Sequence, residues 1–508
     1  MCKLNYSNLR KILCLSLLLL FLCSIYALNC SAQDIWHHYG NDCGFTGFNP
    51  SETMISPTSI NQLIRIWGVG CDDGWFSVFS RSPAVGNGRL YCVGAGNPMQ
   101  CYDAATGELQ WVFGGTSSGW APQPTLTSDG KVLYLQADST NYSLHCVDGV
   151  AGTSLWEAPL QFDLGFSDGN VVCLDESRNQ VLLLENPFAP DSGKLYALDL
   201  DTGLVNWYMS KALNGFSFVG NYLLLDGDYV YSGIVQESWS TERVGKINIT
   251  TQELESVWSR PGEESDIYVT SLTLCDDAVA ATWRKGNGVV GGDLVLFDKT
   301  DGDVLWHYTE ANNITGDVAY NPDLDRLYLA TDPRLYAIDL DQTPGDIQMA
   351  WTYLGFGPVF SPSIAGGVVY FLSDTNAYAV NETNGTLLRS FPLGYEAYEG
   401  TQVAIYNDAI YFSGHGGTCD LFAYGFPPPC TELGVSLYMP AKTFSWLDPC
   451  SCSVEICNPG ESALSNVPLF VLLDAYGTIL FAPQFTETVS FYTINPAPGW
   501  STQVVLPE

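Results

Sequence analysis

The chain has 508 residues, with 20 Lys and Arg against 55 Asp and Glu, 13% aromatic and only 15% charged residues. A net charge of −35 excludes partners held by phosphate attraction, nucleic acid and anionic membrane surfaces alike. The sparse charge and the aromatic content exclude a disordered acidic chain and point to an acidic globular protein long enough for more than one domain.

Residues 1–32 read as a signal peptide. Lys3, Arg10 and Lys11 form a basic start, Ile12 to Tyr26 is an apolar run, and Cys30-Ser31-Ala32 supplies the small residues of a cleavage site. No later segment reaches the roughly 18 to 20 apolar residues of a membrane span. A lipoprotein reading would acylate Cys23 or Cys30, but Leu22 and Asn29 are bulkier than the residue expected before such a cysteine. The expected mature chain is exported, extracellular or periplasmic, with 17 basic residues against 55 acidic ones and a net charge near −38. Of 16 cysteines, 12 then remain in an oxidising compartment. Cys92 and Cys101, on successive strands of one unit, form a candidate disulfide. Cys450, Cys452 and Cys457 crowd the stretch after Cys430; an extended run from Cys450 to Cys457 spans about 23 Å, so either it bends or each finds another partner. Zinc is disfavoured there, since no paired C-x-x-C and no nearby His supports it.

From residue 34 the chain repeats. Trp67, Trp111, Trp156, Trp207, Trp258, Trp306, Trp351 and Phe391 recur at gaps of 40 to 51 residues. A period of this length is that of radially repeated β-sheets, one sheet per period. Gly193-Lys-Leu-Tyr-Ala-Leu-Asp-Leu-Asp-Thr-Gly-Leu-Val-Asn-Trp207 shows the unit most fully: an apolar strand, an Asp-x-x-Thr-Gly turn and a second strand ending on the aromatic. The turn's Asp or Thr bonds its own backbone and the Gly supplies positive φ. Ile60 to Trp67 is an outer strand without a first half. Ala409 to Ser413 and Cys419 to Tyr424 form a last unit without an outer strand, so the two fragments complete each other.

The pattern over residues 34–427 resembles the repeat of pyrroloquinoline-quinone (PQQ) type β-propellers. That resemblance implies an all-β, eight-bladed propeller closed by an N-terminal strand, with the repeat aromatics packed between blades; Phe391 departs from the family's Trp. Trp36-His-His-Tyr-Gly-Asn-Asp resembles the lead-in of such chains, implying a segment laid across the ring. The prolines of 428–430 and the preceding Pro427 mark a linker. Residues 431–508 read as a small β-sandwich-like module, incomplete or in need of a partner, with strands at Gly434 to Met439 and Val467 to Asp474.

The same resemblance makes a PQQ-dependent dehydrogenase the enzymatic alternative, with a calcium-bound quinone on the ring axis, a catalytic Asp and a vicinal disulfide. The sequence has no adjacent Cys pair in the repeats, and no long insertions that would build such a pocket. Asp298-Lys-Thr-Asp301-Gly-Asp303 lacks the alternation and closing Glu of a calcium loop and lies on the repeat's turn, as do Asp199, Asp201, Asp339 and Asp341. Asp72-Asp73 and Asp276-Asp277 read as solvated loop acids. Gly115-Thr-Ser-Ser-Gly119 has the Gly-x-Ser-x-Gly spacing but reads as a loop between strands with no helix after it, which argues against the nucleophile turn of a hydrolase. Paired carboxylates for glycoside chemistry stay possible but cannot be picked out. Trp75, Trp120, Trp239 and Trp283 fall off the repeat; of these Trp75 and Trp120 are taken as candidate ligand platforms. The expectation is a non-catalytic exported scaffold that binds a protein or carbohydrate on a propeller face, with no cofactor expected and PQQ or calcium left open; an outer-membrane assembly factor-like scaffold is the other alternative.

Overall fold

Each repeat unit folds as an antiparallel sheet of four strands. The computed structural model describes residues 35–70, 82–93, 98–114, 123–137, 142–160, 172–185, 193–236, 242–262, 267–285, 290–340, 348–355, 357–393, 397, 401–413, 420–427, 430, 433–438, 452–475 and 478–506. Among these are eight sheets of four or five strands between residues 35 and 425, in agreement with the all-β propeller expected. Numbered by their first strands, blades 1 to 8 begin at Ala84–Gly86, Thr125–Leu126, Val172–Asp175, Ser217–Asp226, Ile267–Leu274, Ile314–Asn321, Ser363–Ala365 and Ala404–Tyr406. The first strands of neighbouring blades abut from blade 3 round through blade 8 and blade 1 to blade 2, and blades 2 and 3 share one apolar cluster, so the ring is closed. The signal-peptide reading and most of the linker lie outside the described residues.

The split unit closes as the sequence implies. Ile64–Gly70 pairs antiparallel with Asp420–Gly425 and becomes the outer strand of blade 8. This joins the two ends of the ring by main-chain hydrogen bonds and leaves no blade with a missing strand. Strands inside a blade are buried on both faces because another blade covers each face; Val368–Ser373 of blade 7 is buried at every position. The apolar runs of such strands are therefore continuous. Outer strands such as Leu109–Phe113 are largely exposed.

The repeat turn has a second purpose beyond its backbone conformation. Asp103 Oδ1 accepts from the Ala105 and Thr106 amides and the Thr106 hydroxyl, and Asp199 Oδ1 holds its own turn in the same way. The turn's glycine, at positive φ, then lies flat against the indole of the preceding blade. A Cβ on Gly107 would stand 2.7 Å from Trp67, on Gly152 2.6 Å from Trp111, on Gly203 2.5 Å from Trp156 and on Gly385 2.6 Å from Trp351. The indole N–H of the same tryptophans donates onward, Trp67 to Ala104 O, Trp111 to Gly149 O, Trp156 to Leu200 O and Trp351 to Glu382 O. Gly302 takes the same place over Trp258. The matching turn of blade 4 carries Gln252 at positive φ instead of glycine, and the preceding Trp207 is only half-buried. Trp306 is likewise half-buried, and so is Trp111 although Gly152 lies against it. Phe391 departs because blade 8 has no such turn: its third strand ends the ring. Phe391 packs edge-on against Tyr424 at 4.8 Å, with the Arg389 guanidinium over its ring.

The Cys92–Cys101 disulfide is corrected. The register sets Cys92 opposite Gln100 and Tyr91 opposite Cys101, a one-residue offset that turns the two side chains to opposite faces of the sheet. Both are buried free thiols. After the ring, Gly434–Tyr438, Cys452–Asn458 and Gly499–Leu506 form a three-stranded sheet, joined by two hairpin-sized sheets. Val454 and Ile456 of the first share a small core with Leu469 and Ile494. Cys457 finds its partner outside the Cys450 cluster, in a disulfide with Cys430 at a Cα separation of 5.4 Å.

Candidate functional site at the ring centre

The lead-in segment crosses the inner wall and bonds to every blade. An inner strand exposes an unpaired edge toward the axis, whose N–H and C=O groups need partners. The residues at one equivalent position, Val85, Leu126, Leu174, Leu225, Leu274, Tyr320, Ile364 and Ile405, each pair outward with a Val, Leu or Ile of the second strand. Toward the axis, all eight meet the lead-in. Trp36 pairs with Val85, and the carbonyls of His37, Cys43, Gly44, Thr46 and Gly47 accept from the amides of Leu126, Leu225, Leu274, Tyr320 and Ile364 at 2.7 to 3.0 Å. The Leu174 amide donates instead to Cys43 Sγ at 3.2 Å, and Asn49 Nδ2 donates to Ile405 O at 2.8 Å. Each such bond is worth about 1 kcal/mol, and leaving the edge unpaired would cost more.

Side chains of the segment fill the space they cross. Tyr39 and Phe45 are buried, and the Tyr39 hydroxyl bonds Ser361 Oγ. Gln402 of blade 8 accepts from the Gly40 amide at 2.7 Å and donates to Pro362 O at 2.8 Å. Gly47 adopts positive φ, and a Cβ there would stand 2.9 Å from Pro362 O. Asp42 holds the turn, accepting from the Gly44 and Thr46 amides at 2.9 and 3.2 Å and from the Thr46 hydroxyl at 2.5 Å.

At one side of this plug a cavity of about 170 Å³ is lined by His37, His38, Asp42, Cys43, Leu174 and Glu176. His38 donates from Nδ1 to Tyr39 O at 2.5 Å, which leaves Nε2 toward Cys43 Sγ at 3.9 Å. Contact with the Cys173 thiol, aided by His38 and the Leu174 main chain against the cost of burial, lowers Cys43 to about 5. Burial opposes charge on His38, but the Cys43 sulfur and the Tyr39 carbonyl outweigh it and the imidazole is raised. Burial pushes Cys173 well up. An acidic thiol beside a basic imidazole is a nucleophile in waiting. Sequence reasoning set His37 and His38 in the lead-in but missed Cys43 and Cys173, which no spacing motif connects.

The other proposed positions separate. Trp75, Trp120 and Trp239 lie outside the described residues. Trp283 is buried, donating to Glu242 O at 3.2 Å, and so packs between blades. Asp298 accepts from the Thr300 amide and Asp301 from the Asp303 amide, the turn roles expected of them. His307 meets Asp293, itself held by Arg260 in a buried pair at 2.6 Å. For a calcium-bound quinone the donor set among the described residues does not fit: Asp42 is committed to its turn, Asp317 accepts from Tyr222 OH at 2.7 Å, and no three Asp, Glu, His or Cys groups are placed to hold a metal ion. Among the described residues no helix is long and apolar enough to cross a membrane.

Solved structures share this fold at low identity. A quinohemoprotein alcohol dehydrogenase from Comamonas testosteroni superposes with a TM-score of 0.58 at 12% identity, covering 77% of this chain and 80% of its own. A europium-containing methanol dehydrogenase gives 0.56 at 12%, covering 77% and 98%. The Dos1 propeller gives 0.52 at 12%, covering 72% and 96%. At such identities the likeness is one of fold. No curated protein gives a significant match. The family model described as outer membrane protein assembly factor BamB, a PQQ-repeat model, matches residues 64–290 and 161–391, more than half of the chain. With its repeat turns, docked tryptophans and shared closing strand, the chain belongs to this PQQ-repeat β-propeller family.

Proposed function

We propose that the protein is an exported, non-catalytic propeller that binds a partner through its loops and outer rim. The observation that carries this reading is the ring centre taken up by the chain's own lead-in, bonded at the equivalent position of all eight blades. That leaves the outer strands and loops as the surfaces open to a partner. Leu109, Val112, Leu155, Leu204 and Tyr208 are exposed apolar side chains on or beside the outer strands of blades 1 to 3. Such apolar surface on an acidic molecule suits a protein partner or the apolar face of a sugar better than an anionic one. The family description favours a second reading within the same class, a scaffold in outer-membrane protein assembly.

The test against a quinoprotein enzyme adds PQQ and calcium to the purified protein and follows thermal unfolding and dye-linked oxidation of alcohols and sugars. The expected result is an unchanged Tm and no dye reduction. A saturable rise in Tm accompanied by turnover would overturn the scaffold reading.

A further inference from the structure

The geometry points to Cys43 and Cys173 as a reactive dithiol whose oxidation ties the lead-in segment to blade 3 by a disulfide. The two residues are 130 positions apart, on separate elements that meet only in the folded ring. Cys43 Sγ lies 3.2 Å from the Leu174 amide nitrogen and 3.3 Å from the Leu174 carbonyl oxygen. That amide nitrogen is bonded to the carbonyl carbon of Cys173, which sets the sulfur within about 6 Å of Cys173 Cα and so against the residue it would bridge. Cys43 packs on the apolar cluster that contains Cys173, and the two thiols are in contact.

The surroundings fit the chemistry. The cavity bordered by His37, Asp42 and Glu176 opens onto Cys43, while Cys173 is buried. An external disulfide therefore meets Cys43 first. With His38 as the imidazolium beside it, Cys43 attacks as thiolate on a small disulfide R–S–S–R, forming the mixed disulfide and releasing R–S⁻. The Cys173 thiol then gives up its proton, attacks the Cys43 sulfur and expels the second R–S⁻. Two protein thiols lose two electrons, the external disulfide gains them, and the protons of the His38 imidazolium and of Cys173 end on the two released thiols. Of the other free cysteines described, Cys92, Cys101, Cys146 and Cys275 are buried. For each of these, burial raises the thiol, so none is matched to this role.

The test uses the wild-type protein. Reduced protein is incubated with oxidised glutathione, quenched in acid, alkylated after unfolding and digested for mass spectrometry. The expected product is a peptide pair joined through Cys43 and Cys173 that disappears on reduction and is absent from Cys43→Ser. In the native reduced protein at pH 6.5, iodoacetamide should label Cys43 at least about tenfold faster than Cys173 or Cys101. Glutathione retained on Cys43 with Cys173 still free, linkage of Cys43 to another cysteine, or no oxidation of either would each overturn the proposal. Equal labelling rates would remove its thiolate step.

Discussion

At the rim of the ring, Trp67, Trp111, Trp156 and Trp351 each rest on a glycine of the next blade and donate an indole hydrogen bond to it. At the centre, one aperiodic segment reaches all eight blades, mostly through its main-chain carbonyls. The rim repeats a single solution, so each contact concerns two neighbouring blades. The lead-in never repeats, so each of its residues answers to a different blade. This difference explains where chemistry can gather. Rim residues are committed to packing, while the lead-in brings His38, Asp42 and Cys43 to one place against Cys173.

The comparison breaks first at the rim if the docked indoles are not equivalent. Trp351→Ala should cost about 3 to 5 kcal/mol of stability, since it empties a buried inter-blade space and leaves the Glu382 carbonyl with the Arg326 guanidinium as its remaining side-chain donor. Trp207→Ala should cost about 1 to 2 kcal/mol, because Trp207 is half-buried and the turn it precedes has Gln252 where the others have glycine. Denaturant titration of the two variants measures both, and equal losses would show that the glycine platform adds nothing.

A pH-dependent effect sharpens the contrast between periodic and aperiodic acids. Burial pushes the Glu242 carboxyl up to about 7, against only one opposing hydrogen bond from the Val269 amide. A raised carboxyl is favoured in its neutral form by the fold, so its contribution is complete below the ordinary carboxylate pKa near 4.5 and is lost as pH rises through 7. The loss is on the order of 3 kcal/mol. Glu242→Gln keeps an acceptor for Val269 and should flatten stability between pH 4.5 and 8 relative to wild type, read by thermal unfolding across that range. A turn acid such as Asp103 is only half-buried and is held by its own turn's backbone.

Much of the scaffold was legible in the sequence because it is periodic. The eight aromatics, the Asp-x-x-Thr-Gly turns and the outer strand of Ile64–Gly70 all report themselves at a fixed interval, and the turn glycine demanded a positive φ that a reader can anticipate. Its contact with the preceding indole was not legible, since it depends on how blades pack. Nor was the centre. Cys43 and Cys173 meet through the path of a segment with no repeat, and only three dimensions make them neighbours. The Cys92–Cys101 pairing failed on register: proximity along a hairpin does not decide which face a side chain takes.

The lead-in closes the inner wall of the ring. Amide hydrogen exchange on the wild-type protein tests it at Leu126, Leu225, Leu274, Tyr320 and Ile364, whose N–H groups face the axis and are bonded only through this segment. These five amides are expected to exchange slowly and as one group, with protection close to that of the blade interiors. Exchange at these positions as fast as in an exposed loop, with the second and third strands still protected, would contradict it.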